Sequence, residues 1–159
     1  MEFFYPNFQN DMWRIFGLVF FDNANYFVIE GQKRFNKPKI ERFLRQKGIA
    51  LSDTAAQVRR LKDNASDAFL RIVKPADLPA MLAKLPNCKA VAATGGKAAE
   101  ALAELAGVET PPAGGHVEAT AGGRKILIYR MVSSSRAYPK PLSQKAQIYA
   151  DMFKSLGML

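Results

Sequence analysis

Apolar residues crowd every face of the stretch from Asn10 to Phe21, where Met12, Trp13, Ile15, Phe16, Leu18, Val19 and Phe20 leave no polar stripe. A helix that is apolar all round is buried, and Asn10 or Asp11 supplies its N-cap. Residues 22–36 read as a loop with a short extended piece at Tyr26–Ile29. Lys37–Lys47 predicts a second helix, with Pro38 in its first turn, Ile40, Phe43 and Leu44 at helical spacing, and Gly48 to end it. The run Gly48–Asp53 is too short for a helix and predicts a buried strand ending at Ser52 or Asp53. Ala68–Val73 predicts another short element, and Ala76–Leu85 a helix with Leu78, Met81, Leu82 and Leu85 on one face. Ala90–Thr94 reads as a second buried strand, after which Gly95-Gly96 opens a helix through Leu105 that Gly107 closes. Val117–Thr120 and Lys125–Met131 flank Gly122-Gly123, a hairpin signal. A last helix, Leu142–Leu156, buries Ala146, Tyr149, Met152, Phe153 and Leu156. Strands alternating with helices predict an α/β domain of three layers, α/β/α, around a short, mainly parallel sheet.

In open sheets of that class, ligands bind outside the carboxyl ends of the strands. Three strand ends therefore matter: Ser52-Asp53-Thr54, Thr94-Gly95-Gly96, and Met131-Val132 running into Ser133-Ser134-Ser135-Arg136. Each turns polar or small where an apolar strand stops.

Composition narrows the class. The chain has 159 residues, a length suited to one domain, and enough aliphatic and aromatic content to exclude disorder. Its single cysteine, Cys88, excludes a disulfide scaffold and a cysteine-based zinc site, and suits a reducing compartment. The longest apolar run, Ile15–Phe21, falls far short of the ~18 residues of a membrane span. The N-terminus lacks the basic head of a signal peptide. The expectation is a soluble, cytoplasmic domain with no membrane partner.

Charge then suggests a partner. Lys and Arg number 23 against 14 Asp and Glu, a formal net charge of +9. Such a surplus points to a polyanion, most often nucleic acid. It concentrates at Lys33, Arg34, Lys37, Lys39, Arg42, Arg45 and Lys47. Arg59, Arg60 and Lys62 follow, and Arg124, Lys125, Arg130, Arg136 and Lys140 sit late. A basic face kept for solubility is the plain alternative, and phosphate affinity alone says nothing about chemistry.

Thr94-Gly95-Gly96-Lys97 fails as a Walker phosphate loop, because Val91 and Ala98 stand where Gly and Ser or Thr are needed. Its two glycines still open a helix whose free N–H groups can hold a phosphate, or simply allow close strand–helix packing. Ser133–Ser135 lacks a nucleophile elbow, and the only histidine, His116, sits in a Gly-rich turn, so a Ser-His-Asp hydrolase has little to rest on. The aromatics of Tyr5-Pro6-Asn7-Phe8 can stack on bases or staple the first helix.

Together these segments resemble the uracil-DNA glycosylase superfamily, in the branch of mismatch-specific and hypoxanthine-type enzymes. That branch carries an aromatic, a turn and Asn-x-x-Trp-[Arg/Lys]-[Ile/Leu/Val], similar to Tyr5 followed by Asn10-Asp-Met-Trp13-Arg14-Ile15. It also carries a Gly-[Ile/Val]-x-Leu-x-[Asn/Asp] strand, similar to Gly48–Asp53. A later strand end is similar to Thr94-Gly95-Gly96-Lys97-Ala98, and a serine-rich loop before the last helix is similar to Met131–Ala137. The four motifs keep their order along essentially the whole chain.

The resemblance implies a DNA glycosylase of base-excision repair, which flips a deaminated or mismatched base and hydrolyses its N-glycosylic bond without metal or organic cofactor. Flipping costs a few kcal/mol, offset by stacking and base-edge hydrogen bonds in the pocket. It implies Tyr5, Asn10, Asp53 and Thr94 as base-binding residues, with Asp53 accepting where superfamily members often place Asn. Ser133 and Ser134 become the donors that stabilise the departing base, which carries negative charge in the transition state. Gly95, Ser135, Arg136 and Tyr138 become contacts to double-stranded or single-stranded DNA. Family members place a first strand and a Gly-rich motif ahead of the aromatic. Against that pattern, residues 1–159 read as a single domain lacking the N-terminal strand. The open position would leave a sheet edge through which copies could pair, and a non-catalytic DNA-binding homologue stays open as the alternative.

Overall fold

The first helix, α1 (Met12–Phe21), forms where the apolar run is densest. The Asn10 side-chain oxygen accepts from the Met12 N–H at 2.9 Å, and Asp22 closes the helix in the left-handed region at φ 52°. Its first half, Met12–Gly17, is buried, Val19 and Phe20 pack half-buried against the same core, and its last residue, Phe21, is exposed. The structure, a computed structural model, describes residues 5, 8–51, 55–60, 70–75, 82–83 and 85–159, with 55–60 and 70–75 described by backbone pairing alone. In α2 (Lys37–Lys47), the Asn36 side chain accepts from Lys39 N–H, and Gly48 at φ 70° ends the helix. Ile40 and Phe43 face the core, while Arg42, Arg45 and Lys47 stay in solvent.

Two strands follow, β1 (Ala55–Arg60) and β2 (Leu70–Pro75), paired antiparallel as a two-stranded sheet. β2 falls where a short element was expected and β1 where none was. A second sheet holds β3 (Ala90–Thr94), β4 (His116–Ala121) and β5 (Arg124–Met131) in the order β3-β5-β4. β3 runs parallel to β5, with Ala90 opposite Leu127 and Thr94 opposite Met131. β4 and β5 form an antiparallel hairpin over Gly122 and Gly123, both at positive φ, as tight two-residue turns require. The class is thus α/β. The expected mainly parallel sheet meets, among the described residues, one parallel ladder and two antiparallel ones, because the hairpin contributes a neighbour that needs no crossover.

The expected strand at Gly48–Asp53 is unpaired over its described part. The Ile49 N–H is spent on the Leu44 carbonyl as part of the helix cap, while Ile49 and Leu51 pack on the core. Asp53 lies outside the described residues, as does most of the expected helix at 76–85, of which Leu82–Ala83 is helical.

Helix α3 (Gly96–Ala106) runs from the end of β3, with Gly107 at φ 70° as its cap. Helix α4 (Leu142–Ser155) closes the described chain. Side chains of β5 alternate between two cores. Ile126 and Ile128 join Ala93, Ala119 and the α3 residues Ala99, Leu102 and Ala103. Tyr129 and Met131 join Trp13, Phe16, Phe43, Tyr149, Met152 and Phe153, contributed by α1, α2 and α4. No helix among the described residues is long and apolar enough to cross a membrane.

Within the larger core, the Tyr149 hydroxyl donates to the Val132 carbonyl at 2.7 Å. Burial, and then the neighbouring Tyr5, push this phenol well above its ordinary range. The unfolded chain releases the proton above about pH 10 while the folded chain keeps it. The group's contribution to stability is therefore full below that pH and is lost as pH rises. Wild-type protein is expected to lose up to about 1.4 kcal/mol more per pH unit above pH 10 than Tyr149→Phe. Urea titrations at a series of alkaline pH values check this; equal slopes for the two proteins would contradict it.

Candidate functional site

Because β3 and β5 are parallel, their carboxyl ends emerge side by side, and the chain leaves each by a polar turn. β3 ends at half-buried Thr94, and the next residue, Gly95, adopts φ 97° and ψ 161°, a region that only glycine occupies readily. The Gly95 N–H donates to the Met131 carbonyl at 2.9 Å, which ties the two strand ends together. A Cβ on Gly95 would merely touch the Ser133 Cβ at 3.9 Å, so backbone conformation and not crowding demands the glycine. The first N–H groups of α3 receive no side-chain cap there.

The N-terminal segment reaches the same place. The Tyr5 hydroxyl and Thr94 Oγ1 lie 2.9 Å apart, in a hydrogen bond spanning 89 residues of sequence. The Tyr5 carbonyl accepts from the Trp13 indole N–H at 3.1 Å, and the two rings meet edge-on at 6.2 Å. Tyr5 holds φ 53°, uncommon for an aromatic residue; its bonds at both ends pin it there. Phe8 takes the stapling role instead, packing 5.2 Å from Phe35 beneath the Arg14 guanidinium.

The serine loop completes the cluster. Asn10 and Ser135 form an isolated antiparallel bridge, and the Asp11 N–H donates to the Ser134 carbonyl at 2.7 Å. Ser133 is half-buried, and its oxygen accepts from the Ser135 N–H at 3.2 Å, which leaves its own hydrogen to donate. Ser134 is 3% exposed, so of the two expected donors only Ser133 is within reach of a substrate. Tyr138 packs against the core rather than standing free. Arg136 is exposed, and its guanidinium donates to Asp11 Oδ1 at 3.2 Å and to Gln9 Oε1 at 3.3 Å.

Asp11 is a hub that the sequence pattern did not single out. Its Oδ1 also accepts from Arg14 Nη1 at 3.0 Å, and its Oδ2 lies 3.7 Å from the Lys145 ammonium. One buried carboxylate thus faces three cations, Arg14, Arg136 and Lys145, and the group carries a net charge of about +2 at neutral pH. Burial, and then Arg136, hold the Arg14 guanidinium below its ordinary range, against Asp11, which raises it. The available signal was Lys145. It sits four residues before Tyr149, on the stripe of α4 that also carries Met152 and Phe153, and a cation at a core position asks for an explanation.

Other expected cations are spent internally. The Arg124 guanidinium donates to the carbonyls of Leu82, Leu85 and Pro86, and Arg130 donates to the Pro111 carbonyl at 3.4 Å. Lys39 donates to the Tyr26 carbonyl and lies over its ring. Lys33, Arg34, Arg42, Arg45 and Lys47 remain exposed. A hollow of about 570 Å³ lies between the loop after α1 and Lys39, and none of the strand-end residues lines it. Among the described residues, no group of three or more His, Cys, Asp or Glu side chains is placed to hold a metal ion.

Of the residues expected in the site, Tyr5, Asn10, Thr94, Gly95, Ser133, Ser135 and Arg136 converge, and Asp53 lies outside the described residues. No protein family, curated protein or solved structure matches this chain.

Proposed function

We propose that the chain is a DNA glycosylase of the uracil-DNA glycosylase type, which excises a deaminated or mismatched base from DNA. One observation carries the reading. Three parts of the chain far apart in sequence, Tyr5 with Asn10, Thr94-Gly95, and Ser133–Arg136, are hydrogen-bonded together at the carboxyl ends of the parallel β3–β5 ladder. Ligands of open α/β sheets bind at such a place, and these segments hold three of the four motifs of the resemblance. In this reading the domain is a three-layer α/β/α unit, with α3 on one face of the β3-β5-β4 sheet and α1 and α4 on the other. It works in the cytoplasm, as its lone cysteine suits.

The chemistry falls to this chain's own side chains. The pinned Tyr5 ring gives a flipped base a face to stack on, and Thr94, Asn10 and Asp53 address its edge. Cleavage of the N-glycosylic bond leaves the electron pair on the base, and the Ser133 O–H donates toward that growing charge. Water supplies the hydroxyl that ends on the sugar, and its remaining proton balances the charge on the released base. Ser135, Arg136 and Tyr138 hold the flanking phosphates, with the first N–H groups of α3, which follow Gly95, beside them. No metal or organic cofactor enters the scheme.

The test is incubation with end-labelled duplexes and single strands carrying uracil, hypoxanthine, xanthine or a mismatch, followed by alkali to break abasic sites. Excision of at least one of these bases is expected. Ser133→Ala should slow the single-turnover rate by about 10²–10³-fold, the scale of losing one transition-state donor. No abasic product from any substrate would overturn the reading, and tight DNA binding without excision would leave the non-catalytic homologue in its place.

A further inference from the structure

We propose that Lys145 and Asp11 form a positioning pair that fixes the serine loop from beneath, so that Ser133 and Arg136 face the DNA. The kinetic consequence rests on the glycosylase reading; the structural one does not.

Lys145 is 1% exposed, among the most enclosed side chains described. Lysine is almost never buried to that degree without a partner, and replacing a buried ion pair by apolar side chains is often neutral or stabilising. Its place on α4, between apolar positions, would suit Met or Leu on packing grounds alone. What the ammonium does instead is donate to the Ser135 carbonyl at 2.8 Å. One turn further along the same face, the Tyr149 hydroxyl donates to the Val132 carbonyl at 2.7 Å. Two rungs from a single helix therefore hold the loop backbone at positions three residues apart.

The opposite side is held by the N-terminal segment. Asn10 bridges Ser135, and the Asp11 N–H donates to the Ser134 carbonyl. The Asp11 carboxylate then reaches past the backbone to Arg136 at 3.2 Å and lies 3.7 Å from Lys145. The loop backbone is thereby gripped on two sides, and that grip sets the positions of half-buried Ser133, assigned to the departing base, and exposed Arg136, assigned to DNA. Neither Lys145 nor the Asp11 carboxylate is exposed enough to touch DNA, so both act through the loop.

The experiment compares wild-type protein with Lys145→Met and with the double variant Asp11→Asn/Lys145→Met. Lys145→Met keeps Asp11 paired with Arg14 and Arg136, the double variant keeps the net charge of the cluster, and a cooperative thermal melt establishes that each variant is folded before its loop is read. Amide hydrogen exchange followed by mass spectrometry reads the loop directly. In either variant, exchange within residues 133–138 is expected to rise about tenfold or more while the aromatic core keeps its protection. Excision of the preferred base should slow about tenfold or more in kcat with KM within about threefold, because positioning acts on the transition state. Loop exchange within about twofold of wild type in a folded variant overturns the proposal, as does a loss of protection spread evenly through the core. If wild-type protein excises nothing, the glycosylase reading falls and the exchange result still decides the role of Lys145.

Discussion

Trp13→Ala is expected to lower the unfolding free energy by about 3–5 kcal/mol, the usual cost of emptying a large aromatic site in a core. Trp13 is fully buried and meets Tyr5, Phe16 and Phe27 at ring separations of 6.2, 5.5 and 6.4 Å, each near edge-on. Edge-to-face pairs of this kind add about 0.5–1.5 kcal/mol beyond area burial, and the cavity left behind is bounded by helices that cannot close on it without losing their own contacts. A second loss comes with it: the Tyr5 carbonyl forfeits the indole N–H that holds the residue at φ 53°. With domain stabilities of about 5–15 kcal/mol, the variant should unfold at a much lower urea concentration. Equilibrium unfolding by circular dichroism measures it, and a shift under about 1 kcal/mol would mean that the core collapses onto the site.

Asp11→Ala should cost a similar amount, about 3–5 kcal/mol, for a different reason. The wild-type carboxylate is the shared partner of Arg14, Arg136 and Lys145, and two of those cations are buried, Arg14 at 5% and Lys145 at 1%. Removing the anion leaves three like charges together, two of them cut off from water. Arg136, about half exposed, can swing away; Arg14 and Lys145 cannot. Raising the salt concentration should recover only a small part of the loss, since ions screen exposed charges far better than buried ones. Thermal melts of wild type, Asp11→Ala and Asp11→Asn at low and high salt separate the effects. Asn keeps oxygen and shape and should fall between the other two, whereas equal melting of all three would show that the carboxylate contributes nothing.

Where a pattern is local, the chain announces its structure. All four helices described in full fall within a residue or two of where apolar spacing and terminal glycines put them, and the Gly122-Gly123 hairpin is where two adjacent glycines between strand-like runs require it. That Thr94-Gly95 and Ser133–Arg136 lie at strand ends was legible, because an apolar strand stopping at polar residues marks a sheet's carboxyl edge. The hub at Asp11 was not, because its four charged members come from residues 11, 14, 136 and 145 and only the tertiary fold brings them together. Arg124 reads as surface charge in sequence, yet the carbonyls of Leu82, Leu85 and Pro86 claim it. Gly48–Leu51 has the hydrophobicity of a strand, but hydrophobicity marks burial and not pairing: Ile49 and Leu51 are half-buried on the core without a ladder, and Gly48 and Ala50 are exposed.

Trp13 is also the only tryptophan in the chain. Its indole N–H holds the Tyr5 carbonyl, and the Tyr5 hydroxyl meets Thr94 at the strand end. All tryptophan emission therefore originates in one dry spot, a single residue removed from the surface proposed to stack on a base. The protein carries its own optical sensor there, and a titration with DNA can be followed at that point without attaching a dye.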